Sequence, residues 1–269
     1  MTSRQTSLAR FAERLNRAPL WHREHRVWGQ RMASASFDRW LYLRLHCAGT
    51  IGVAEKDALQ RIVRPGMTAL DVGANLGLYT VLLSRLVGPA GRVIAFEPDP
   101  HHFALLKRNC ALNGCTNVEA HNMALGSGSG RFVLHKEILN SGNHFLGASG
   151  CRHSPSEVEV DVASVDEFLP MLQPDLVKID VQGWEVEVLR GMRRMLTASP
   201  HIALYLEFWP FGLRRAGYSP DELLELLAEQ NFRLYITDYS RNTALDPVAL
   251  AALKLRLKRS GHTDLYAAR

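Results

Sequence analysis

The chain has 269 residues, of which 46% are hydrophobic and 22% charged, and its formal net charge is +5 at pH 7. This is the composition of an ordinary globular protein, and the length allows a full α/β core without disulfide staples. No apolar run approaches the ~18 residues of a membrane-spanning helix. The N-terminus also lacks the continuous apolar segment of a secretory signal. We therefore expect neither a membrane span nor a secretory signal.

Basic charge is concentrated in the N-terminal part of the chain. Residues 1–66 contain 12 Lys/Arg and 5 Asp/Glu, a net 12 − 5 = +7, whereas residues 67–269 contain 20 and 22, a net −2. Such an excess could attract nucleic acid, an anionic lipid surface or an acidic carrier. The arginines are scattered rather than clustered, which favours a solvated helical face instead.

The cysteines give no sign of a disulfide framework or a metal centre. The four residues Cys47, Cys110, Cys115 and Cys151 form no CxxC pair and no zinc-finger spacing with histidine. We expect free thiols in a reducing compartment, a cytoplasmic location and no metal site.

Strands and helices are predicted in alternation along most of the chain. Residues 1–64 are predicted to be mostly helical, and Pro65-Gly66 is a strong break that would separate this extension from a domain over residues 65–269. After the break, apolar strands are predicted at 67–73, 92–98, 117–125, 175–181, 201–209, 232–238 and 263–269. Helices are predicted at 76–87, 99–114, 183–196, 219–230 and 247–260, with Asp99 and Ser219 as N-caps. Two alternating segments, 130–137 and 157–165, are typical of edge strands, and the polar stretch 138–156 between them is too long for a plain turn.

This alternation predicts a doubly wound, mostly parallel α/β sheet. Ligands of such sheets bind beyond the carboxyl ends of the strands, where the strand order reverses. The stretch ALDVGANLGLYT at residues 69–80 ends the first predicted strand, which is where a cofactor would be expected.

That stretch is unlike the usual phosphate-binding turns. Its glycines, Gly73 and Gly77, have neither the G-x-G-x-x-G spacing of dinucleotide sites nor the GK[ST] of a P-loop. They still let the backbone approach a ligand closely, and Asp71 precedes them. The alternative is a tight connection from strand to helix without a ligand, in which Asp71 caps the helix.

Glu97, at the end of the second predicted strand, narrows the choice of ligand. A carboxylate at this position can accept hydrogen bonds from both hydroxyls of a ribose. Together with Asp71 it would repel a phosphate and attract a cation that carries a ribose, and S-adenosylmethionine fits that description. The alternative is that Glu97 is a solvated strand end.

The chain resembles the class I SAM-dependent methyltransferases, and among them the FkbM family. The stretches that carry the resemblance are MTALDVGANLGLYT, VIAFEPDP, NVEAHNMALG, ASVDEFL and DLVKIDVQGWEVEVLRGM, followed by LYLEF. They cover residues 66 to about 210, a little over half of the chain. The resemblance implies a seven-stranded, mostly parallel, Rossmann-like sheet, with residues 65–269 as the methyltransferase domain.

The resemblance also implies a cofactor site. Its residues would be Asp71, Gly73, Ala74, Asn75, Gly77, Tyr79, Glu97, Pro98, Asp99, Asn122, Met123, Ala124 and Asp180. The glycine-rich turn would line the methionine and sulfonium end, Glu97 would hold the ribose, and Pro98 and Asp99 would lie by the adenine edge. Asn122 would contact adenine, or would serve only as a turn residue.

Acid–base candidates follow the next two strands. Asp180 and Glu207 would each be able to take the proton of an alcohol acceptor, unless they are paired to Lys178 or Arg190. The resemblance has a departure here, because family members more often have a glutamate and a histidine around Gly183. We assign acceptor binding to Asn140, Asn143, His144, Trp184 and Glu185, with His144 expected to face solvent.

The predicted function is therefore O-methylation of a hydroxyl on a small natural product, sugar or glycan, with S-adenosylhomocysteine as the other product. An N-methyltransferase or RNA methyltransferase is an alternative, although no nucleic-acid-binding module is recognisable. A non-catalytic SAM-binding scaffold is a second alternative, because the Gln182 and Trp184 departures leave it open.

Overall fold

The computed structural model describes residues 22–35, 52–136, 144–146, 156–237, 242–257 and 261–269. The strands of this part are β1 His22–Val27, β2 Gln30–Ala35, β3 Thr68–Val72, β4 Arg92–Phe96, β5 Val118–His121, β6 Ala124–Gly126, β7 Gly130–Lys136, β8 Phe145–Leu146, β9 Ser156–Ser164, β10 Leu176–Ile179, β11 Ala203–Phe208, β12 Arg233–Thr237, β13 Asn242–Ala244 and β14 Thr263–Ala268. The helices are α1 Val53–Ile62, α2 Leu78–Val87, α3 Pro100–Leu112, α4 Val165–Phe168, α5 Glu185–Gly191, α6 Arg193–Ala198, α7 Pro210–Arg215, α8 Pro220–Glu229 and α9 Pro247–Arg256.

The main sheet has the strand order β13-β12-β14-β11-β10-β3-β4-β5. Strands β11, β10, β3, β4 and β5 run parallel, whereas β14, β12 and β13 pair antiparallel at one edge. The strand order reverses between β3 and β10, so the sheet has its switch point there. The predicted doubly wound α/β class is confirmed. The expected count of seven strands is exceeded by one in the described residues, because the short β13 adds to β12.

The central strands are apolar because helices cover both faces of the sheet. All four residues of β10 are buried, as are the last four of β3 and of β4. A continuous buried run is what a parallel strand between two helical layers requires. The predicted N-caps are confirmed, since Asp99 accepts from the amides of His101 and His102, and Ser219 accepts from that of Asp221.

A second sheet, of order β6-β9-β7-β8, lies beside the main one. The strand predicted over 117–125 is divided, with β5 in the main sheet and β6 in this one. Likewise the helix predicted over 183–196 is two helices, α5 and α6. A Cβ at Gly191, the last residue of α5, would overlap the carbonyl oxygen of Gly126 in β6. The second sheet is therefore packed directly on the layer that follows β10.

The prediction that residues 1–64 are mostly helical is wrong for residues 22–35. There β1 and β2 form an antiparallel hairpin, with positive φ at Trp28 (51°) and Gly29 (76°) in the turn. The side chain of Asn109 accepts from the Ala33 amide at 2.6 Å and donates to its carbonyl at 3.0 Å. The hairpin is thus fastened to α3 by a buried side chain, a contact that local periodicity does not encode. Helix α1 agrees with the prediction, and residues 1–21 and 36–51 lie outside the described part.

Two further expectations concern membranes and thiols. No helix in the described ranges is both long and apolar enough to cross a membrane. Cys110 and Cys115 are free thiols, as expected, and Cys47 and Cys151 lie outside the described residues. The division of the chain into two domains at residue 64 stays a prediction.

Candidate functional site

A cavity that is partly open to solvent lies at the carboxyl ends of β3, β4 and β10, with the second sheet as its other wall. Of the residues predicted from the sequence, it is lined by Gly73, Asn75, Glu97, Pro98, Ala124, His144, Asp180 and Trp184. Because the strand order reverses at this edge, the cavity is where an α/β sheet of this kind binds its ligand.

Eight further residues line the cavity: Val72, Phe96, His102, Leu125, Leu134, Leu146, Val181 and Gln182. Sequence reasoning assigned none of them to the ligand, although Gln182 was singled out as a departure from the family. Leu134 and Leu146 come from β7 and β8, and only the packing of the second sheet brings them here. His102 had a local signal, because it follows the Asp99 cap by three residues and therefore lies in the same helical turn.

The first turn after β3 is shaped by the neighbouring strand. Gly73 has φ of 81°, and a Cβ there would overlap the carbonyl oxygen of Asp180 at the end of β10. Asn75 also has a positive φ, of 50°, and its amide donates to Glu97 Oε2 at 2.7 Å. The glycine is therefore required by the close approach of two strand ends, and this approach brings Glu97 and Asp180 to one cavity.

Glu97 is held with its carboxylate oriented by the backbone. It is only 6% exposed and accepts hydrogen bonds from the amides of Asn75 (2.7 Å) and Asp99 (2.9 Å). Burial, with the nearby charge of Asp99, raises the pKa of Glu97 to about 8. Each carboxylate oxygen keeps acceptor capacity beyond these bonds, as a ribose diol would need.

Asp71 does not reach the cavity. Its carboxylate is fully buried, accepts from Thr80 Oγ1 at 2.6 Å and lies 3.2 Å from Lys178 Nζ. Tyr79 is on the same side of the sheet, beneath the Lys178 ammonium (4.9 Å from the ring centroid). Successive side chains of a strand point to opposite faces, so Asp71 points away from the face on which its neighbour Val72 lines the cavity, and it bonds to Thr80 of α2. Neither Asp71 nor Tyr79 lines the cavity in the described structure, and their expected contact with the ligand stays a prediction.

Two more residues of the glycine-rich stretch serve packing. Ala74 is buried in a cluster with Leu106. Gly77 begins α2 with φ of 87°, and a Cβ there would lie 2.6 Å from Leu106 Cδ1. Neither lines the cavity. They bring α2 and α3 together, so their role at the site is indirect.

Of the residues expected near adenine, some line the cavity and the others serve the loop, the helix cap or the core. Asn122 donates through Nδ2 to the carbonyls of Glu97 (2.9 Å) and Pro98 (3.0 Å), so it secures the loop after β4 as a turn residue. Met123 packs partly buried against the core. Asp99 is fully buried and caps α3, with its Oδ2 2.6 Å from Lys136 Nζ. Only Pro98 and Ala124 of this group line the cavity.

The two acid–base candidates share one amide donor. Gln182 Nε2 donates to Asp180 Oδ1 at 2.8 Å and to Glu207 Oε2 at 2.9 Å. The Asp180 side chain is 38% exposed and lines the cavity, and Lys178 lies 3.8 Å from its Oδ2. Burial first, and then the charge of Asp180, hold the pKa of Glu207 well above its ordinary value. The alternative partner Arg190 is remote, since it pairs with Glu187 and Glu222.

The residues expected to bind the acceptor have different positions. Trp184 lines the cavity, and its buried indole N–H has no hydrogen-bond partner among the described residues. Glu185 is 1% exposed and accepts from the amides of Gly183 (3.1 Å) and Val181 (3.3 Å). Burial raises the pKa of Glu185 to about 7. Glu185 therefore fastens the turn before α5 and does not contact the cavity. Asn140 and Asn143 lie outside the described residues.

His144 is not solvent-facing, and that expectation is wrong. Its side chain is 11% exposed and stacks on His102 with ring centroids 5.0 Å apart. Burial lowers the pKa of His144 to about 3 and that of His102 to about 4. Both imidazoles are consequently neutral at pH 7.

The charges around the cavity fit a cationic ligand better than a phosphate. Two acidic side chains, Glu97 and Asp180, line it, although Glu97, with a pKa of about 8, is mostly protonated at pH 7 before a ligand binds, and the two imidazoles are neutral. Lys and Arg are absent from the lining residues in the described part of the chain. Phosphate sites usually supply basic side chains or a helix N-terminus rich in free amides. The unpaired indole N–H of Trp184 and the remaining acceptor capacity of Glu97 leave polar groups for a ligand to satisfy.

The fold and this cavity define an α/β protein with a candidate ligand site at the switch point of the sheet. The family model described as "Methyltransferase FkbM domain" matches residues 71–234, more than half of the 269 residues. The chain therefore belongs to the FkbM methyltransferase family, and the resemblance stated from the sequence is confirmed.

Curated relatives agree with this assignment. Methyltransferase sdnD of Sordaria araneosa is 30% identical over 209 residues, which cover 60% of this chain and 80% of that protein. Methyltransferase 1 of Beauveria bassiana is 32% identical over 46% of this chain and 57% of its own length. The hexuronic acid methyltransferase AglP of Haloferax volcanii is 28% identical over 64% of this chain and 66% of its own length. The chain thus matches 57% and 66% of the lengths of the last two relatives, in each case less than two thirds.

Among solved structures, precorrin-6y C5,15-methyltransferase of Geobacter metallireducens superposes with a TM-score of 0.46 at 15% identity, covering 81% of this chain and 88% of that one. The strand order described above, and not this superposition, defines the fold.

Proposed function

We propose that this chain binds S-adenosylmethionine in the cavity and transfers its methyl group to a hydroxyl of a small natural product, sugar or glycan. The observation that carries the proposal is the placement of Glu97 and Asp180. They follow β4 and β10, the two strands that flank β3, and both line the same cavity. The carboxyl group of Glu97 suits a ribose diol, and that of Asp180 is accessible to a second ligand.

The residues that would hold the cofactor come from three turns. Glu97 would accept from the ribose hydroxyls, while Gly73 and Asn75 offer backbone to the methionine portion. Pro98, Ala124 and the apolar side chains of β6 to β8 would contact the adenine side. When bound, S-adenosylmethionine supplies an electrophilic methyl group on a positively charged sulfur.

Asp180 is the proposed proton acceptor for the acceptor hydroxyl. It lines the cavity and is more accessible than Glu207, which lies behind Gln182. Gln182 would keep Asp180 aimed into the cavity, since its amide is fixed between both carboxylates. Proton removal from an alcohol by a positioned base typically contributes about 10²–10⁴-fold to the rate.

A sugar or sugar-like acceptor is supported by one relative, the hexuronic acid methyltransferase AglP of Haloferax volcanii. The polar and aromatic wall formed by Gln182 and Trp184 is compatible with a hydroxylated ring. No observation in the described structure favours the RNA, N-methyl or scaffold alternatives over this one.

The test is a calorimetric titration of the full chain with S-adenosylhomocysteine, with NAD as the control ligand. Glu97→Gln should weaken binding by up to about 10-fold, because the amide nitrogen cannot accept from a ribose hydroxyl and one hydrogen bond contributes about 0.5–1.5 kcal/mol. Glu119→Gln is the matched control, since Glu119 is an exposed acid within the adjacent strand, β5, outside the cavity lining. Binding that is absent in the folded parent chain, or equal in Glu97→Gln and parent, would contradict the proposed cofactor site.

Methyl transfer is then tested with a labelled methyl donor against a panel of hydroxylated, carboxylated and amine acceptors and RNA. Label found on hydroxylated sugars or natural products supports O-methylation. Label found only on amines or RNA would contradict it.

A further inference from the structure

Two histidines and an aspartate converge at the wall of the cavity, outside the groups used for methyl transfer. They are Asp99 at the start of α3, His102 in its first turn and His144 immediately before β8. One possible ligand atom from each lies within 4.8 Å of the other two. The three residues come from two segments that are about 40 residues apart in sequence, and only the packing of β8 beside α3 brings them together.

The carboxylate is held with one oxygen directed at the cluster. Asp99 Oδ1 accepts from the amides of His101 (2.7 Å) and His102 (3.3 Å), which fixes the side chain. Its Oδ2 lies 3.7 Å from His144 Nε2 and 2.6 Å from Lys136 Nζ. Asp99 is fully buried and His102 nearly so. A buried carboxylate needs a cation close by, and here the lysine ammonium supplies it.

We propose that Asp99, His102 and His144 form a binding site for a divalent transition-metal ion, with Zn²⁺, Co²⁺, Ni²⁺ and Fe²⁺ as the fitting class. Two imidazoles and one carboxylate are the donor set of many such sites, whereas Mg²⁺ and Ca²⁺ prefer oxygen ligands alone. Metal–ligand bonds of about 2.0–2.2 Å require the three donor atoms to approach one another more closely than they do without the ion.

The ammonium of Lys136 occupies the position of the cation in the structure without metal. Its side chain is 24% exposed, so it can turn toward solvent when a doubly charged ion takes its place. Both imidazoles line the cavity together with Glu97, so an ion held here would lie at the cavity wall. Its remaining coordination positions would suit water or an oxygen of a molecule in the cavity. The contrasting interpretation is a purely structural Lys136–Asp99 ion pair beside two stacked rings.

The test uses the full chain after treatment with a chelator, titrated with Zn²⁺ by calorimetry and with Co²⁺ by visible absorption. No methyl donor is present, so the result does not depend on the proposed function. One equivalent should bind, with the Co²⁺ bands of a nitrogen-ligated ion, and excess Mg²⁺ should not compete. His102→Ala and His144→Ala should each weaken binding by about 10-fold or more, the range measured for losses around metal sites. His101→Ala is the control, because it removes a neighbouring imidazole that is not one of the three donors.

Lys136→Met separates the two interpretations. If the ammonium competes with the ion, the variant binds Zn²⁺ more tightly than the parent chain. Binding in Lys136→Met that is equal to or weaker than in the parent would overturn the proposal, as would equal binding in the parent and both histidine variants. The parent chain gives a readout that needs no variant to fold: if the folded protein shows no nitrogen-ligated Co²⁺ spectrum, the site is not a metal site.

Discussion

The side-chain amide of Gln182 lies 2.9 Å from Glu207 Oε2, and the same nitrogen lies 2.8 Å from Asp180 Oδ1. The neutral side-chain amide of Gln182 thus links Glu207, which is half-buried, to Asp180, which lines the cavity. Gln182 has φ of 57°, so the chain adopts an uncommon left-handed conformation to place this amide. A residue that departs from the family pattern is therefore part of the acid–base arrangement.

Gln182→Met should shift the pH dependence of methyl transfer. A hydrogen bond to a carboxylate favours its charged form, so its loss raises the already elevated pKa of Glu207 further. The hydrogen bond to Asp180, the proposed base, is lost as well, so the rise of kcat/KM with pH should occur at higher pH than in the parent enzyme. The measurement is a pH–rate profile of both proteins, with Gln230→Met, at the C-cap of α8 and outside the cavity lining, as the control. An unchanged profile would show that the shared amide does not influence the reacting groups.

Asp180→Asn should lower the rate of methyl transfer by about 10²–10⁴-fold, because the amide cannot accept the hydroxyl proton. Affinity for S-adenosylhomocysteine should stay close to that of the parent, since Asn keeps the size of the side chain and its contact with Gln182. Single-turnover rates and calorimetry on the same samples measure the two quantities. Full turnover by Asp180→Asn would show that Asp180 is not the base, and Glu207 would then be the next candidate.

Lys178→Met should destabilise the fold by about 3–5 kcal/mol, because it leaves the fully buried carboxylate of Asp71 without its countercharge. Burial lowers the pKa of Lys178, but Asp71 and Asp180 outweigh it and leave this pKa raised, so the amine is charged in the parent chain. Urea unfolding gives the free energy. Arg92→Met is the matched control, because its partner Glu119 is about half exposed and such pairs contribute about 0–1 kcal/mol.

The double variant Lys178→Met/Asp71→Leu tests the explanation, because it removes both charges. It should recover much of the lost stability. A double variant that is as unstable as Lys178→Met would show that packing, and not the unpaired charge, is responsible.

Glu185→Gln should flatten the pH dependence of stability on the acid side of neutrality. The folded-state pKa of Glu185 is about 7, above its ordinary value of 4.5, because the side chain is buried. The folded protein therefore binds more protons than the unfolded chain between about pH 4.5 and 7, and stability falls as pH rises through this window. The glutamine keeps an oxygen that accepts from the Gly183 and Val181 amides but does not titrate.

Thermal midpoints measured from pH 4.5 to 8 check this prediction. The parent chain should lose stability toward neutral pH, and the variant should lose less. Parallel curves for the two proteins would mean that Glu185 does not stay protonated in the folded state.

The sequence by itself determined the α/β class, the order of most elements and the edge of the sheet where the site lies. Apolar residues that recur with the period of a strand or of a helix predict the elements. The carboxyl ends of parallel strands meet at one edge of the sheet, and this predicts where the site lies. Glu97 and Asp180 each end a predicted strand, and this position alone placed both at the cavity. The caps at Asp99 and Ser219 were also predictable, because an N-cap acts within a few residues of itself.

Only the tertiary structure decided which side chains of these segments face the ligand and which face the core. Asp71 is two residues from Gly73 but pairs with Lys178, more than 100 residues away, on the other side of the strand. The hairpin at residues 22–35 is held by Asn109 on α3, and His144 reaches Asp99 only through the pairing of β7 with β8. Such contacts join segments that are remote in sequence, and their energies depend on packing and burial that no local pattern records.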